Sequence, residues 1–268
     1  MDDPDLKLVI GILAVVVLGA LGWYFRDTFL PEPEPEPAIE QPVAAEPEVE
    51  SGPRHPLPEL TPGATPQAEL VDLPALDDSD AYFLLEVANN FHPAFEALLV
   101  REAVIDRLVA TVDNLTRGKI ADNIRPVTPL PDVFDFDYGN GETQILGPSS
   151  YARYDAIVAQ VYYLDLDSVY DTYRRFYPLF QQAYERLGYP DAYFNDRLVE
   201  VVDHLLATPV PAGPIVLVRP NVLYQFADPD LEALSSGQKL MLRMGPANTA
   251  TMKRVLEKFR ARLVTAGP

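Results

Sequence analysis

The chain has 268 residues, 40 Asp and Glu against 21 Lys and Arg, a net charge of −19, and no cysteine. The missing thiols exclude a disulfide frame, a thiolate metal site and a cysteine nucleophile. The negative charge excludes nucleic-acid phosphates and anionic headgroups as main partners.

A short tail, residues 1–7, precedes Leu8–Phe25, "LVIGILAVVVLGALGWYF", which contains no charged residue. At 1.5 Å per residue this run reaches about 27 Å, the thickness of a bilayer core. Lys7 and Arg26 bracket it, and Trp23 and Tyr24 sit where an interfacial belt lies. The segment before it is acidic (Asp2, Asp3, Asp5), unlike a signal-peptide n-region, and Ala20-Leu21-Gly22 is a weak cleavage pattern. The reading is therefore a transmembrane anchor over 8–25, with the bilayer as a partner. The short tail favours an inside N-terminus and an exported domain.

Residues 26–69 read as a disordered linker. From 31 to 69 there are 11 prolines, nine acids and one base, beginning with "PEPEPEP". Proline blocks helix and ladder, and like charges repel, so this stretch is expected to be extended and unpacked. About 40 residues at ~3.1 Å each span on the order of 120 Å.

From 70 to 264 the pattern is mainly helical, and 265–268 is a tail. Asp77, Asp78 or Ser79 can cap a helix through "AYFLLEVANNF". Residues 93–115 read as one helix or two, with Leu98, Ile105, Leu108, Val109 and Val112 at helical spacing. "FDFDYGNGETQIL" (134–146) reads as a β-hairpin turning at Gly139-Asn140-Gly141, its acids on the wet face. Residues 167–188 form a helix with Tyr170, Tyr173, Tyr177, Phe180, Tyr184 and Leu187 in register, and Pro178 is expected to kink or split it. "YFNDRLVEVVDHLL" is amphipathic through Phe194, Leu198, Val201, Val202 and Leu205. "GPIVLVRP" suits a short strand. A helix capped from Asp228 or Asp230 runs to Gly245, and Pro246 opens the last one. The fold class is thus an N-terminal transmembrane helix, a linker, and a multi-helix globular domain with one small β-hairpin.

Three blocks, "YARYD", "RRFYPLFQQAYERLGYPDAYFNDRLVEVVDHLLATP" and "ADPDLEALSSGQKLMLRMGPAN", together with "ATVDNLTRGKIADNIRP", resemble the bacterial family known as domain of unknown function 3014. The resemblance covers roughly residues 74–262. It implies an N-terminal anchor and a Pro-rich linker, and it carries no activity and no catalytic residues.

Residues 151–194 hold ten of the 14 tyrosines. Tyrosine stacks on sugar rings or peptide and leaves a hydroxyl for hydrogen bonding. Tyr151, Tyr154, Tyr189 and Tyr193 are therefore candidate contacts, with Asp191, Asn195 and Arg197 from "GYPDAYFNDR". The competing roles are core packing for the rings, helix capping for Asp191 or Asn195, and pairing with an acid for Arg197. Asp196, Glu200 and His204 are spaced for a metal but fall opposite the apolar face, on the solvent side, without a second His. Asp135–Leu146 lacks the Gly and Glu of a calcium loop, and Ser236-Gly237-Gln238-Lys239 stands without the other acyl-enzyme motifs. Basic residues of the last helix suit its C-terminus or an acidic partner, such as the linker. No cofactor or metal is implied. The expected role is a non-enzymatic interaction module of the bacterial envelope, placed in the periplasm on the inner membrane. Binding of cell-wall glycan or peptide through the Tyr-rich region is the alternative, and a hydrolase the third reading.

Overall fold

The computed structural model describes residues 52–57, 73–90, 99–119, 121–127, 134–140, 143–220 and 223–264. The expected anchor at 8–25 and most of the linker lie outside these residues. No described helix is long and apolar enough to cross a membrane. The domain is mainly helical. Its helices are α1 (Asp80–Asn90), α2 (Val104–Asn114), α3 (Pro148–Tyr162), α4 (Leu166–Arg186), α5 (Phe194–Leu206), α6 (Pro229–Glu232), α7 (Ser236–Arg243) and α8 (Gly245–Val264).

Two antiparallel pairs accompany them. β1 (Asp137–Tyr138) pairs with β2 (Gln144–Ile145), in the register Asp137↔Ile145. β3 (Leu217–Val218) pairs with β4 (Gln225–Phe226), in the register Leu217↔Phe226. A bridge between Ile145 and Val216 joins the two pairs. The second pair is an addition to the single hairpin expected, although β3 falls within "GPIVLVRP", the stretch read as a short strand; its partner β4 is not among the expected elements. The acids of the first hairpin are not all on a wet face. Asp137 accepts from Ser149 N–H (3.0 Å) and Ser149 Oγ (2.9 Å), capping α3, whose own N-cap residue, Gly147, has no side chain.

Helix α5 is central and touches α2, α4, α7 and α8. Its face of Phe194, Leu198, Val201, Val202 and Leu205 is buried to the last residue. Opposed to it are Ile105, Leu108, Val109 and Val112 of α2, the α4 set of Val169, Tyr173, Phe176, Phe180 and Tyr184, and Met252, Val255, Leu256, Phe259 and Leu263 of α8. A second, small cluster of Leu146, Ile215, Leu217, Phe226 and Leu242 fills the space under the hairpins.

Helix α4 runs unbroken through Pro178, so the expected split does not occur. Proline forfeits one backbone bond and crowds the preceding turn. Here Phe176, Leu179 and Phe180 are buried on either side of an exposed Pro178, so packing offsets the lost bond and the helix continues. The helix expected from Asp228 to Gly245 is in fact two. Asp228 caps α6 by accepting from Asp230 N–H (2.9 Å), and Ser235 caps α7 by accepting from Gln238 N–H (3.2 Å). Ser236, the serine of the Ser-x-x-Lys stretch, donates from Oγ to the Asn114 and Leu115 carbonyls (3.3 and 3.4 Å), and Lys239 binds Glu232 at 3.0 Å, so the two are engaged with other groups.

Candidate functional site

The site is built on the N-terminus of α5. Its N-cap residue is Tyr193, extended and without a side-chain cap. Neither Asp191 nor Asn195 caps this helix. Gln181 of α4 does the work instead: its Oε1 accepts from Phe194 N–H (2.9 Å), and its Nε2 donates to Ala192 C=O (2.8 Å). The turn before α5 is therefore fixed by α4. That frees the polar residues of the first helical turn to face other partners.

Those partners lie in the linker. Asp196 accepts from two successive backbone N–H groups, Arg54 on Oδ2 (2.9 Å) and His55 on Oδ1 (2.8 Å). Asn195 Nδ2 donates to His55 C=O (2.7 Å) and to Leu263 C=O (3.3 Å), while its Oδ1 accepts from Tyr173 OH (3.1 Å). Both backbone polar groups of His55 are thus read by adjacent side chains of α5. The Arg54 guanidinium forms an ion pair with Glu200, and Leu57 packs on the main core. The expectation of an unpacked linker fails for residues 52–57. The expectation of a solvent-facing Asp196 fails for the same reason: it is only 8% exposed, because this segment covers it.

Behind the segment lies a charge network. Arg197 Nε donates to Asp113 Oδ1 (2.8 Å), and its terminal nitrogen donates to Asp113 C=O and Thr116 Oγ1, both at 2.7 Å. Arg117 adds a contact to Asp113 Oδ2 at 2.8 Å. Arg197 also reaches Glu200 at 3.3 Å, so Asp113, Arg197, Glu200 and Arg54 form one alternating chain of charge. An open cavity of 460 Å³ adjoins it, walled by Arg54, Tyr184, Asp191, Tyr193, Arg197 and Glu200.

The seven candidate residues are only partly brought together. Asp191, Tyr193 and Arg197 wall the cavity, and Asn195 lies buried beside it. Tyr189 stacks on Tyr184 (centroids 4.7 Å apart) and bonds Arg117 at 2.9 Å, supporting the wall from behind. Tyr151 and Tyr154 of α3 do not line it. Tyr154 is 1% exposed and belongs to the core; Tyr151 is half-buried against Gly245 and donates to Leu146 C=O at 3.0 Å. No single tyrosine-lined cleft forms from the four rings. Burial pushes the Tyr184 phenol up to about 12, with the Asp113 carboxylate adding to it.

The metal-like trio does not converge. Asp196 and Glu200 serve the linker segment, while His204 is hydrogen-bonded to Ser235 at 2.7 Å. Among the described residues no three His, Cys, Asp or Glu are placed to hold a metal ion. Three of the five cations of α8 are engaged within the domain: Lys253 on Thr208 C=O, Arg260 on Asp203 and Arg262 on Asp167.

Sequence reasoning missed Arg54, His55 and Asp113. A signal for the first two existed, since they are the only base and the only histidine in an acidic, proline-rich stretch. Asp113 is an acid set against the apolar stripe of α2, which demands a buried partner. No curated protein and no solved structure matches this chain. A family model does match, over residues 104–260, a span that holds α2 through most of α8, including Asn195, Asp196 and Glu200, which bind residues 54 and 55. The chain belongs to the family described as "Protein of unknown function (DUF3014)".

Proposed function

We propose that this chain is a single-pass protein of the bacterial inner membrane whose helical domain acts in the periplasm as a non-enzymatic module for extended protein segments. The observation that supports the recognition part is the pairing of Asp196 and Asn195 with the backbone of residues 54 and 55. Two N–H donors and one carbonyl are satisfied by fixed side chains on a helix terminus. That is how a domain holds a peptide in extended form, with the backbone supplying affinity and side chains supplying choice. The uncharged run at 8–25 and the acidic linker support the placement.

Two measurements test this reading. Alkaline phosphatase fused after residue 268 is expected to be active, and an inactive fusion beside a fluorescent cytoplasmic one would refute the placement. A photo-crosslinking residue in place of Tyr193 is expected to trap envelope protein, whereas the same residue at Tyr163, on the far end of α3, should not. Equal trapping at both positions would refute recognition at the α5 terminus.

A further inference from the structure

We infer that residues 52–57 are an internal occupant of a binding site for proline-bracketed basic segments, and that a partner segment of that kind displaces them. This rests on the interaction-module reading above and names its ligand class and its regulation. Four observations carry it. The contact reads backbone: Asp196 and Asn195 bind the N–H and C=O groups of residues 54 and 55, which any extended peptide offers. The site is acidic where it meets the occupant, through Asp196 and Glu200, with Asp191 beside them, and it selects the one basic spot, Pro53-Arg54-His55-Pro56, of an otherwise acidic linker. The cavity continues past the segment to Asp191, Tyr193 and Arg197, with room that the occupant does not fill. Finally, Asn195, Asp196, Arg197 and Glu200 lie within the family-defining span of 104–260, and the occupant lies outside it.

The occupant is suited to being exchanged. Its ion pair with Glu200 is exposed on both sides, 56% for Arg54 and 46% for Glu200, and such pairs add little. Its hold depends on its being tethered, which supplies an effective concentration in the millimolar range. A partner segment must overcome that. Its binding would return residues 52–57 to the tether, adding on the order of 20 Å of reach at ~3.1 Å per residue. Partner engagement and extension of the domain from its anchor are thereby one event.

The test uses the full chain in detergent and a fluorescent peptide of residues 51–59. Arg54→Glu sets a negative charge against Asp196 and Glu200, and His55→Pro deletes an N–H that Asp196 accepts. Each variant opens the site from the linker side and leaves the site itself intact. By fluorescence anisotropy the peptide is expected to bind either opened chain at least tenfold more tightly than the wild type. Adding Asp196→Ala should abolish that binding with the helical circular dichroism retained. A peptide with Glu in place of Arg should bind more weakly. Equal binding to wild-type and opened chains overturns the inference. So does absence of binding to both folded, opened chains, which would make residues 52–57 a structural staple. Should wild-type chains instead pair by exchanging residues 52–57, with no peptide uptake by opened chains, the site serves copies of this chain alone and the inference also falls. None of these outcomes bears on placement in the envelope, which the reporter fusion decides separately.

Discussion

Asp113 sits at the junction of α2 and α5 with its side chain only 3% exposed, and Arg197 and Arg117 both reach it. A buried ion pair adds little net stability, but removing one partner strands the other. Arg197→Ala is therefore expected to cost about 3–5 kcal/mol in urea unfolding. Arg197→Lys keeps the charge but cannot serve Asp113 Oδ1, Asp113 C=O and Thr116 together, so it should fall between. A loss below 1 kcal/mol for the alanine variant would mean that Asp113 has found water. His204, on the same helix, responds to acid. Burial, and then the nearby Arg197 charge, hold its pKa below the usual value. The unfolded chain thus takes up the proton first as pH falls, so stability is full above about 6.5 and declines as pH drops below that value. The melting temperature should fall between pH 7.5 and 5.5, and His204→Gln should flatten that slope. An unchanged slope in the variant would assign the loss to other groups.

Helices α5 and α7 approach closely only because residue 237 is glycine. A Cβ there would lie 2.7 Å from Leu205 Cδ2 and 2.9 Å from the Leu115 carbonyl, which also accepts from Gly237 N–H at 3.0 Å. Leu205 can turn, but the backbone carbonyl cannot, so Gly237→Ala is expected to destabilise by about 1–3 kcal/mol. Gly245, at φ +82 with the Tyr151 ring 2.5 Å from an added Cβ, should be at least as intolerant, read by the same thermal melts. Neither constraint is visible in the sequence, where both glycines look like punctuation. What was legible were the single-helix patterns: the stripes of α5 and α8, and most of that of α4, could be read because a 3.6-residue period survives inside one element. Leu187 is the exception, 41% exposed at the end of its helix. The site was half legible for the same reason. The helical wheel correctly put Asp196 opposite the apolar face, but it has no knowledge of what covers that face. The cover comes from 142 residues upstream, as does the choice of Asp113 for Arg197 from 84 residues away. Long-range pairing of this kind leaves no local period.

At the scale of the molecule, the tyrosines join the core to the site. Tyr173 is fully buried, and its hydroxyl ends on Asn195; Tyr177 ends on Gln181 (3.1 Å), which fixes the turn before α5; Tyr184 backs the cavity. The rings therefore pack among α4, α5 and α8, while several hydroxyls position the groups that hold residues 52–57. This arrangement has a consequence in alkali. Burial, the main cause in each case, raises Tyr177 and Tyr184 to about 12 and Tyr173 well above its ordinary value. Unfolded phenols ionise near 10, so the unfolded chain loses these protons first. The stability the phenols contribute is full below about pH 10 and is lost as pH rises from there through about 12. In a titration followed at 295 nm and by far-ultraviolet circular dichroism, part of the tyrosinate signal should appear only as helicity collapses. Tyr173→Phe keeps the ring but removes the donor to Asn195, so it should loosen residues 52–57 and speed tryptic cleavage after Arg54 while the helices remain. If all tyrosines ionise with helicity intact, the Tyr-rich segment is surface, and its link to the α5 site does not hold.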